Sequence, residues 1–459
     1  MSELETPKSK RYRMTHEPVE RLVISLAIPS IASMLISAIY NMADTFFVSR
    51  LGTSATGGVG ICFSVMAIIQ AIGFTFGQGS GNTISRLLGH GDRDEAKVIL
   101  STGFFTAFGL SAVLAFIGSF FVTPLVQFLG ATETIAPYAA DYLRYLFLGM
   151  PFIASSFVLN NLLRYQGSAA YGMIGIMAGA FLNIVLDPIF IFTLDLGVGG
   201  ASLATAISQF VSFTILLIQS GRGVNILPSF KHFSYDFRVH MGILKNGFPT
   251  LLRQGLASIA AIVLNKSAAP FGDAAIAAVT IVMRVFIFSI SAMLGFGQGF
   301  QPVCGFNYGA GRHDRVRQAF WFSVRVSAIV LASLSVFGLI FAPQIMAIFR
   351  KEDLAVIQIG TLALRALFLV LPLSSFTILS MMMTQTIGKS GTASFLSLTR
   401  QGLFFVPLIL ILPRFIGVLG IQISQPLSEL FSFLLTVVMT LPILRELKKA
   451  PAPVSELDD

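Results

Sequence analysis

The residues of this sequence most able to do chemistry are acidic side chains inside long apolar stretches. Asp44 lies in the apolar run 22–48 and Asp187 in the run 169–193. An Asp at the centre of a membrane span costs about 2.5–3.5 kcal/mol on insertion scales, so it needs a compensating environment and is a functional candidate by default. The alternative is that each Asp only satisfies a nearby backbone or tyrosine group.

Three polar residues are expected within one helical turn of the depth of the two carboxylates. Asn183 lies one helical turn from Asp187, and Tyr40 lies one turn from Asp44. At 1.5 Å per residue, Thr205 on the next run reaches a similar level. Oxygen ligands suit a hard cation such as Na⁺, held by Asp44, Asn183, Asp187 and Thr205. Alternatively, burial and repulsion favour the protonated form of one carboxyl group, so the pair carries H⁺.

Membrane-spanning helices must position these residues. Hydrophobic residues make up 54% of the 459-residue chain and charged residues 12%, whereas soluble domains carry about 25% charged residues. This composition excludes a soluble enzyme and predicts an all-α polytopic membrane protein. Twelve apolar runs are long enough to cross a bilayer: 22–48, 57–84, 98–122, 136–162, 169–193, 199–220, 247–268, 274–304, 319–342, 356–385, 390–412 and 416–443.

The distribution of basic residues predicts the orientation. Twelve spans place both termini on one side, and the loops on that side hold most of the Lys and Arg, so we expect the termini in the cytoplasm. The opposite loops contribute only Arg50, Lys266, Arg350, Lys351 and Arg414. Because the basic residues are dispersed among loops, the net charge of +9 does not indicate nucleic-acid binding.

The two halves of the chain resemble each other. The sequence FGQG at 76–79 recurs at 296–299, and Pro29 recurs as Pro249. Each half has six predicted spans, so the repeat is parallel, with a pseudo-twofold axis along the membrane normal. The counterpart of Asp44 is Leu264, so the acidic site occurs in one lobe. The predicted divisions are an N-terminal segment 1–21, an N-lobe 22–220, a linker 221–245, a C-lobe 246–443 and a tail 444–459.

Other residues within the spans are candidates for helix bending or for a substrate cavity. Pro29 interrupts the hydrogen-bond ladder of the first span and allows a bend, either static or linked to the charge state of Asp44. Glu429 and Arg400 are expected to form a pair between the last two spans. The candidate cavity residues are Asn160, Arg253, Met283, Arg284 and Glu429.

Together these features resemble the multidrug and toxic compound extrusion (MATE) family. The resemblance runs from Ile28 to Gly420, and its most specific parts are the first span, IPSIASMLISAIYNMADTFFVSRLG, and the fifth, NIVLDPIFIF. It implies export of amphipathic organic cations across a prokaryotic plasma membrane in exchange for H⁺ or Na⁺. It also implies no other cofactor and no obligate protein partner.

The DinF-like branch of this family places coupling in the N-lobe. The matching positions here are Tyr40, Asp44, Asn183, Asp187 and Thr205, and a further family position maps to Asn160, which we expect near the cytoplasmic end of its span. The sodium-coupled branch has additional acids in the C-lobe. This sequence has none in its seventh or tenth span, which favours the DinF-like scheme.

Two alternatives remain at the level of sequence. A flippase or exporter of lipid-linked precursors would need a basic cavity for phosphate headgroups, which Arg253 and Arg284 would suit. A channel or intramembrane enzyme would need a selectivity-filter loop, a zinc motif or a nucleophile–base pair. The sequence shows none of these motifs.

Overall fold

The computed structural model describes residues 6–349 and 353–449. Within these ranges all regular elements are helical, and twelve helices are long and apolar enough to cross a membrane. The predicted all-α fold with twelve spans is therefore confirmed. Arg350 and Lys351, used in the charge argument, and residues 450–459 of the predicted tail lie outside the described residues. The spans are Val19–Ser49, Thr53–His90, Arg93–Phe120, Ala136–Tyr165, Ala169–Thr193, Gly197–Ser220, Phe237–Phe271, Asp273–Gly309, His313–Phe349, Leu354–Thr386, Ser390–Ile416 and Val418–Lys449.

Most helices extend beyond the apolar runs that predict them. The seventh span begins at Phe237, inside the predicted linker, because Asp236 caps it by accepting a hydrogen bond from the backbone N–H of Arg238 at 2.9 Å. Such a cap satisfies one of the free N–H groups of the first turn and favours a helix start there. Polar first turns lie in water, so hydropathy does not detect them.

The internal repeat is visible in the backbone conformation and not only in the sequence. Glycines with positive φ occur in pairs separated by 220 or 221 residues, and they end or join corresponding spans. These pairs are Gly52 and Gly272, Gly91 and Gly311, Gly167 and Gly388, and Gly197 and Gly417. Since a left-handed backbone favours glycine, the same turn chemistry recurs in both halves.

The two lobes meet where glycines allow backbones to touch. The first span packs against the eighth, and the second against the seventh and eighth. A side chain at Gly79 would overlap the backbone of Ile243 and Gly247, and one at its repeat counterpart Gly299 would overlap Ala27. Small residues at such crossings let membrane helices approach closely. These contacts close the lobes together at one end of the molecule.

A short N-terminal helix covers that closed end. It runs Pro7–His16 and starts with a capping box between Thr6 and Ser9. The buried Lys10 donates hydrogen bonds to Ser168 Oγ of the N-lobe at 2.6 Å and to Asn225 Oδ1 of the linker at 3.1 Å. On the other lobe, Asn307 Nδ2 donates to the carbonyl of Met14 at 3.1 Å. The helix therefore contacts both lobes in this state.

Candidate cation-coupling site and C-lobe cavity

The polar residues predicted in the N-lobe come together between the first, fifth and sixth spans. Asn183 Nδ2 donates to Asp187 Oδ1 at 3.1 Å and lies 3.3 Å from Thr205 Oγ1. Asp187 is fully buried, and Asp44 is 6% exposed. The two carboxylates lie close enough for their charges to repel. We call Asp44, Asn183, Asp187 and Thr205 the acidic cluster.

Two tyrosines border the acidic cluster. Tyr40 is buried and lies within electrostatic range of both Asp44 and Asp187, as its position one turn from Asp44 predicts. Tyr142 of the fourth span is also buried beside the same carboxylates. Sequence reasoning missed Tyr142, because its only signal is a hydroxyl in an apolar span, which many structural tyrosines share.

Three acceptor oxygens of the acidic cluster are buried without a partner among the described residues. They are Asp44 Oδ1, Asn183 Oδ1 and Asp187 Oδ2. Buried polar atoms are normally hydrogen-bonded, and an unpaired buried carboxylate is costly. A proton on a carboxyl oxygen, or a cation held between the three oxygens, would remove that cost. The cluster therefore has the chemistry of a site for a small cation.

The fifth span changes its helix type directly after the acidic cluster. Its α-helical part ends at Pro188, and a π-helical segment follows at Ile189–Thr193. The ring of Pro188 carries no N–H, so it cannot donate to the helix ladder. Single π-turns of this kind are frequent at functional sites. Asp187 therefore lies in the last α-helical turn before this segment.

Pro29 lies in the same span as Asp44 but far from the acidic cluster. The first span is one continuous helix across Pro29, from Val19 to Ser49. The fifteen positions between Pro29 and Asp44 correspond to about 22 Å along a helix axis. A bend at Pro29 would therefore act on the cluster through rotation of the whole helix. A link between this bend and the charge state of Asp44 stays a prediction.

A cavity of about 460 Å³ lies within the C-lobe, between the seventh, eighth, tenth and eleventh spans. Arg253, Met283 and Arg284 line it, where the sequence predicts cavity residues. Asn160 does not line it. Its amide nitrogen packs against Gly172 at the start of the fifth span, about 16 Å along the helix from Asn183. Asn160 therefore belongs to neither this cavity nor the acidic cluster, because its helix face points at a neighbouring backbone.

Glu429 lies behind the wall of the cavity. It is 1% exposed and accepts a hydrogen bond from Arg400 Nε at 2.6 Å, so the predicted pair between the last two spans is confirmed. Gln425 Nε2 and Ser374 Oγ also donate to Glu429, each at 3.0 Å. Arg400, unlike Glu429, lines the cavity. Glu429 thus positions a cavity residue.

A second π-helical segment carries Arg400. It spans Thr399–Phe405 in the eleventh span, the repeat counterpart of the fifth. Ser428 Oγ donates to the backbone carbonyl of Arg400 at 2.5 Å, which satisfies an oxygen that the wider helix leaves free. Both spans of this repeat pair therefore place their charged residue beside an irregular turn.

Glu429→Gln is expected to destabilise the protein. Removing one partner of a buried ion pair costs about 3–5 kcal/mol, and because Arg400 borders a cavity we expect the lower end of that range. The measurement is the unfolding midpoint in detergent. The double variant Glu429→Met/Arg400→Met is the control, since it removes both charges and should recover stability. Equal stability of Glu429→Gln and the wild type would contradict a structural role for this pair.

A family model and a known protein match this chain over most of its length. The MatE family model matches residues 29–189 and 249–411, one block in each lobe. The Multidrug export protein MepA of Staphylococcus saprophyticus subsp. saprophyticus is 28% identical over 422 residues, covering 91% of this chain and 92% of that protein.

Solved structures agree over almost the whole chain. A MATE structure in complex with MaL6 is similar with a TM-score of 0.89 at 27% identity, covering 95% of this chain and 99% of that one. An outward-facing multidrug resistance MATE transporter of the MOP superfamily is similar with a TM-score of 0.86 at 27% identity, covering 95% and 98%. The resemblance seen in the first and fifth spans is confirmed, and the chain belongs to the MatE family of membrane transporters and is not an enzyme.

Proposed function

We propose that this protein is a cation-coupled antiporter that exports amphipathic organic compounds and drugs by alternating access. The observation that carries the proposal is the set of three buried acceptor oxygens, on Asp44, Asn183 and Asp187, that have no partner among the described residues. A small cation is the group that these oxygens need. Its entry and release would drive the transport cycle.

The coupling step follows from where the carboxylates lie. Asp44 belongs to the first span, which contacts both the fifth span of its own lobe and the eighth span of the other lobe. A cation shared by Asp44 and Asp187 removes their repulsion and draws the first span toward the fifth. This changes the packing of the first span against the eighth. A ligand shifts such an equilibrium by its difference in affinity for the two states.

The substrates we propose are amphipathic and mostly cationic organic compounds. The relative named Multidrug export protein supports a broad drug range, and the carboxylates of the N-lobe attract positive charge. Coupling in the N-lobe alone, as in the DinF-like scheme, fits the absence of acidic residues among those that line the C-lobe cavity. We place the protein in the plasma membrane on the basis of its family, and we place its termini in the cytoplasm on the basis of the distribution of basic residues.

The test is transport in liposomes under one gradient at a time. Purified protein is reconstituted, and export of rhodamine 6G, a fluorescent organic cation, is followed under a pH gradient or a Na⁺ gradient. Transport under the pH gradient alone identifies H⁺ as the coupling ion, and a requirement for Na⁺ makes the acidic cluster a metal-ion site. Absence of transport under both gradients would overturn the antiport proposal.

The alternative is a flippase for lipid-linked precursors, and one observation favours it. Arg253 and Arg284 line the C-lobe cavity, and arginine binds phosphate in two-point geometry. A flippase would move a fluorescent lipid across the bilayer without an imposed ion gradient and would require the phosphate headgroup. Gradient-driven efflux of rhodamine 6G with no such lipid movement would favour the exporter.

A further inference from the structure

The C-lobe cavity occupies the place in its lobe that the acidic cluster occupies in the N-lobe. Leu264, the repeat counterpart of Asp44, lines the cavity, and so does Phe405, which lies in the stretch corresponding to Asp187. The two sites therefore share a position of the internal repeat. Their chemistry has diverged, because the carboxylates of one lobe are apolar side chains in the other.

The C-lobe cavity is positively charged, and its charges lie at other repeat positions than the carboxylates of the N-lobe. Arg253, Arg284 and Arg400 line the cavity, and none of its lining residues is acidic. Arg400 is paired with Glu429 through Nε. Neither Arg253 nor Arg284 forms an ion pair with any acidic residue that the structure describes. At offset 220 the counterparts of these two arginines are Ser33 and Ser64, so their charges belong to this lobe alone.

A fourth arginine extends the positive region toward the closed end of the molecule. Arg164 of the fourth span is 3% exposed and lies close enough to Arg253 for their charges to repel. Its Nη2 donates to Asn161 Oδ1 at 2.5 Å. Its Nε and Nη1 are buried without a partner in the described structure. Its guanidinium lies 4.9 Å from the ring centre of Tyr165, so Arg164 adds positive charge beside Arg253 without an acidic partner among the described residues.

The rest of the cavity suits an apolar body. Ile287, Ile290, Leu294 and Met381 belong to its wall, and thioether side chains adapt to ligands of different shapes. The guanidinium of Arg400 lies 5.4 Å from the ring centre of Phe286. A volume of about 460 Å³ falls in the range of about 300–1,000 Å³ typical of pockets for small organic molecules.

We infer that the C-lobe cavity is a binding site for amphipathic organic anions, whose acidic headgroup binds Arg253 and Arg284 and whose apolar body lies against the cavity wall. The inference rests on the proposed export function and adds a second class of substrate to it. The headgroup is a carboxylate, sulfonate or phosphate, carried by a small molecule or by a lipid. The two lobes then offer sites of opposite charge.

The test compares two dyes that share a rhodamine core. Sulforhodamine B carries two sulfonates, whereas rhodamine 6G is a cation. Binding is measured by fluorescence anisotropy with purified protein in neutral detergent and without any ion gradient. We expect Arg253→Gln/Arg284→Gln to weaken sulforhodamine B binding by at least about tenfold, since each charge-assisted hydrogen bond accounts for roughly that factor or more, and not to weaken binding of rhodamine 6G.

A single variant and a control variant test whether the loss of sulforhodamine B binding comes from the cavity arginines. Arg284 is exposed, so Arg284→Gln alone tests the site even if the double variant folds poorly, and we expect a loss of several-fold. Arg365→Gln/Arg414→Gln removes two exposed charges outside the cavity and is expected to leave sulforhodamine B binding unchanged. Equal affinity of the wild type and Arg284→Gln for sulforhodamine B would overturn the inference.

Competition between the dye and membrane lipids distinguishes a lipid headgroup from the headgroup of a small molecule. Sulforhodamine B binding is repeated in nanodiscs of phosphatidylcholine and of phosphatidylglycerol. Weaker dye binding in phosphatidylglycerol supports a lipid phosphate as occupant, and equal binding supports a small organic anion. Because binding is read at equilibrium, failure of gradient-driven rhodamine 6G export would count against the proposed antiport and not against this site.

Discussion

Asp44→Asn is expected to lower gradient-driven export of rhodamine 6G by at least about tenfold, because an amide takes up no proton near neutral pH and lacks the negative charge that would hold Na⁺. A gradient shifts the conformational equilibrium only through a difference in cation affinity between the two states. The variant should still fold, since Asn has nearly the shape of Asp and removes a buried charge that lacks a hydrogen-bond partner on Oδ1. The measurement is the initial rate of dye transport in liposomes.

The matched control for Asp44→Asn is Asp195→Asn. Asp195 is exposed in the loop after the fifth span and has a positive φ of 51°, a conformation that Asn adopts as readily as Asp. This control should retain the wild-type rate. Full export by Asp44→Asn under the same gradient would mean that coupling lies outside the acidic cluster.

Gly79→Val is expected to reduce export by at least about tenfold by keeping the lobes apart. A Cβ at Gly79 overlaps the carbonyl oxygen of Ile243 and crowds Gly247 on the seventh span, and both contacts are backbone atoms that cannot move away alone. Overpacking of this kind costs about 1–3 kcal/mol. This free energy destabilises the conformation in which this end of the molecule is closed. The packing within each lobe is expected to stay unchanged.

Transport rate and thiol labelling together measure this effect. Cys304 of the eighth span is buried and lies near Arg86 of the second span, so opening of this end should increase its reaction with a water-soluble maleimide. Labelling is measured in a Cys62→Ser background, which leaves one cysteine. Gly109→Val is the control, because a Cβ at Gly109 meets no atom within 4 Å. Equal rates for Gly79→Val and Gly109→Val would show that this crossing does not limit transport.

The three variants, at Asp44, Gly79 and Glu429, differ in what the substituted residue contacts. Asp44 belongs to the acidic cluster, Gly79 touches the seventh span where the lobes cross, and Glu429 accepts a hydrogen bond from Arg400. Only Asp44→Asn should abolish the response to a gradient while leaving thermal stability near the wild-type value. Comparing the three readouts therefore separates coupling, conformational change and structure.

The sequence by itself determined the membrane fold and much of the acidic cluster. Twelve apolar runs, the FGQG repeat and the glycine loops specify twelve spans in two related halves, since hydropathy and turn chemistry are local properties. Asp44, Asn183, Asp187 and Thr205 were predicted at one depth, because helix rise and periodicity convert chain position into height and face. The family followed from the same residues.

Only the tertiary structure decided which side chains meet across helices. Tyr142 borders the acidic cluster, Asn160 packs against Gly172, and the N-terminal helix contacts both lobes. The unpaired nitrogens of Arg164 and the arginine-lined cavity also depend on contacts between spans. Helix height is readable from one sequence, but the rotation and partners of each helix are set by packing against neighbours far along the chain, which a single sequence does not specify.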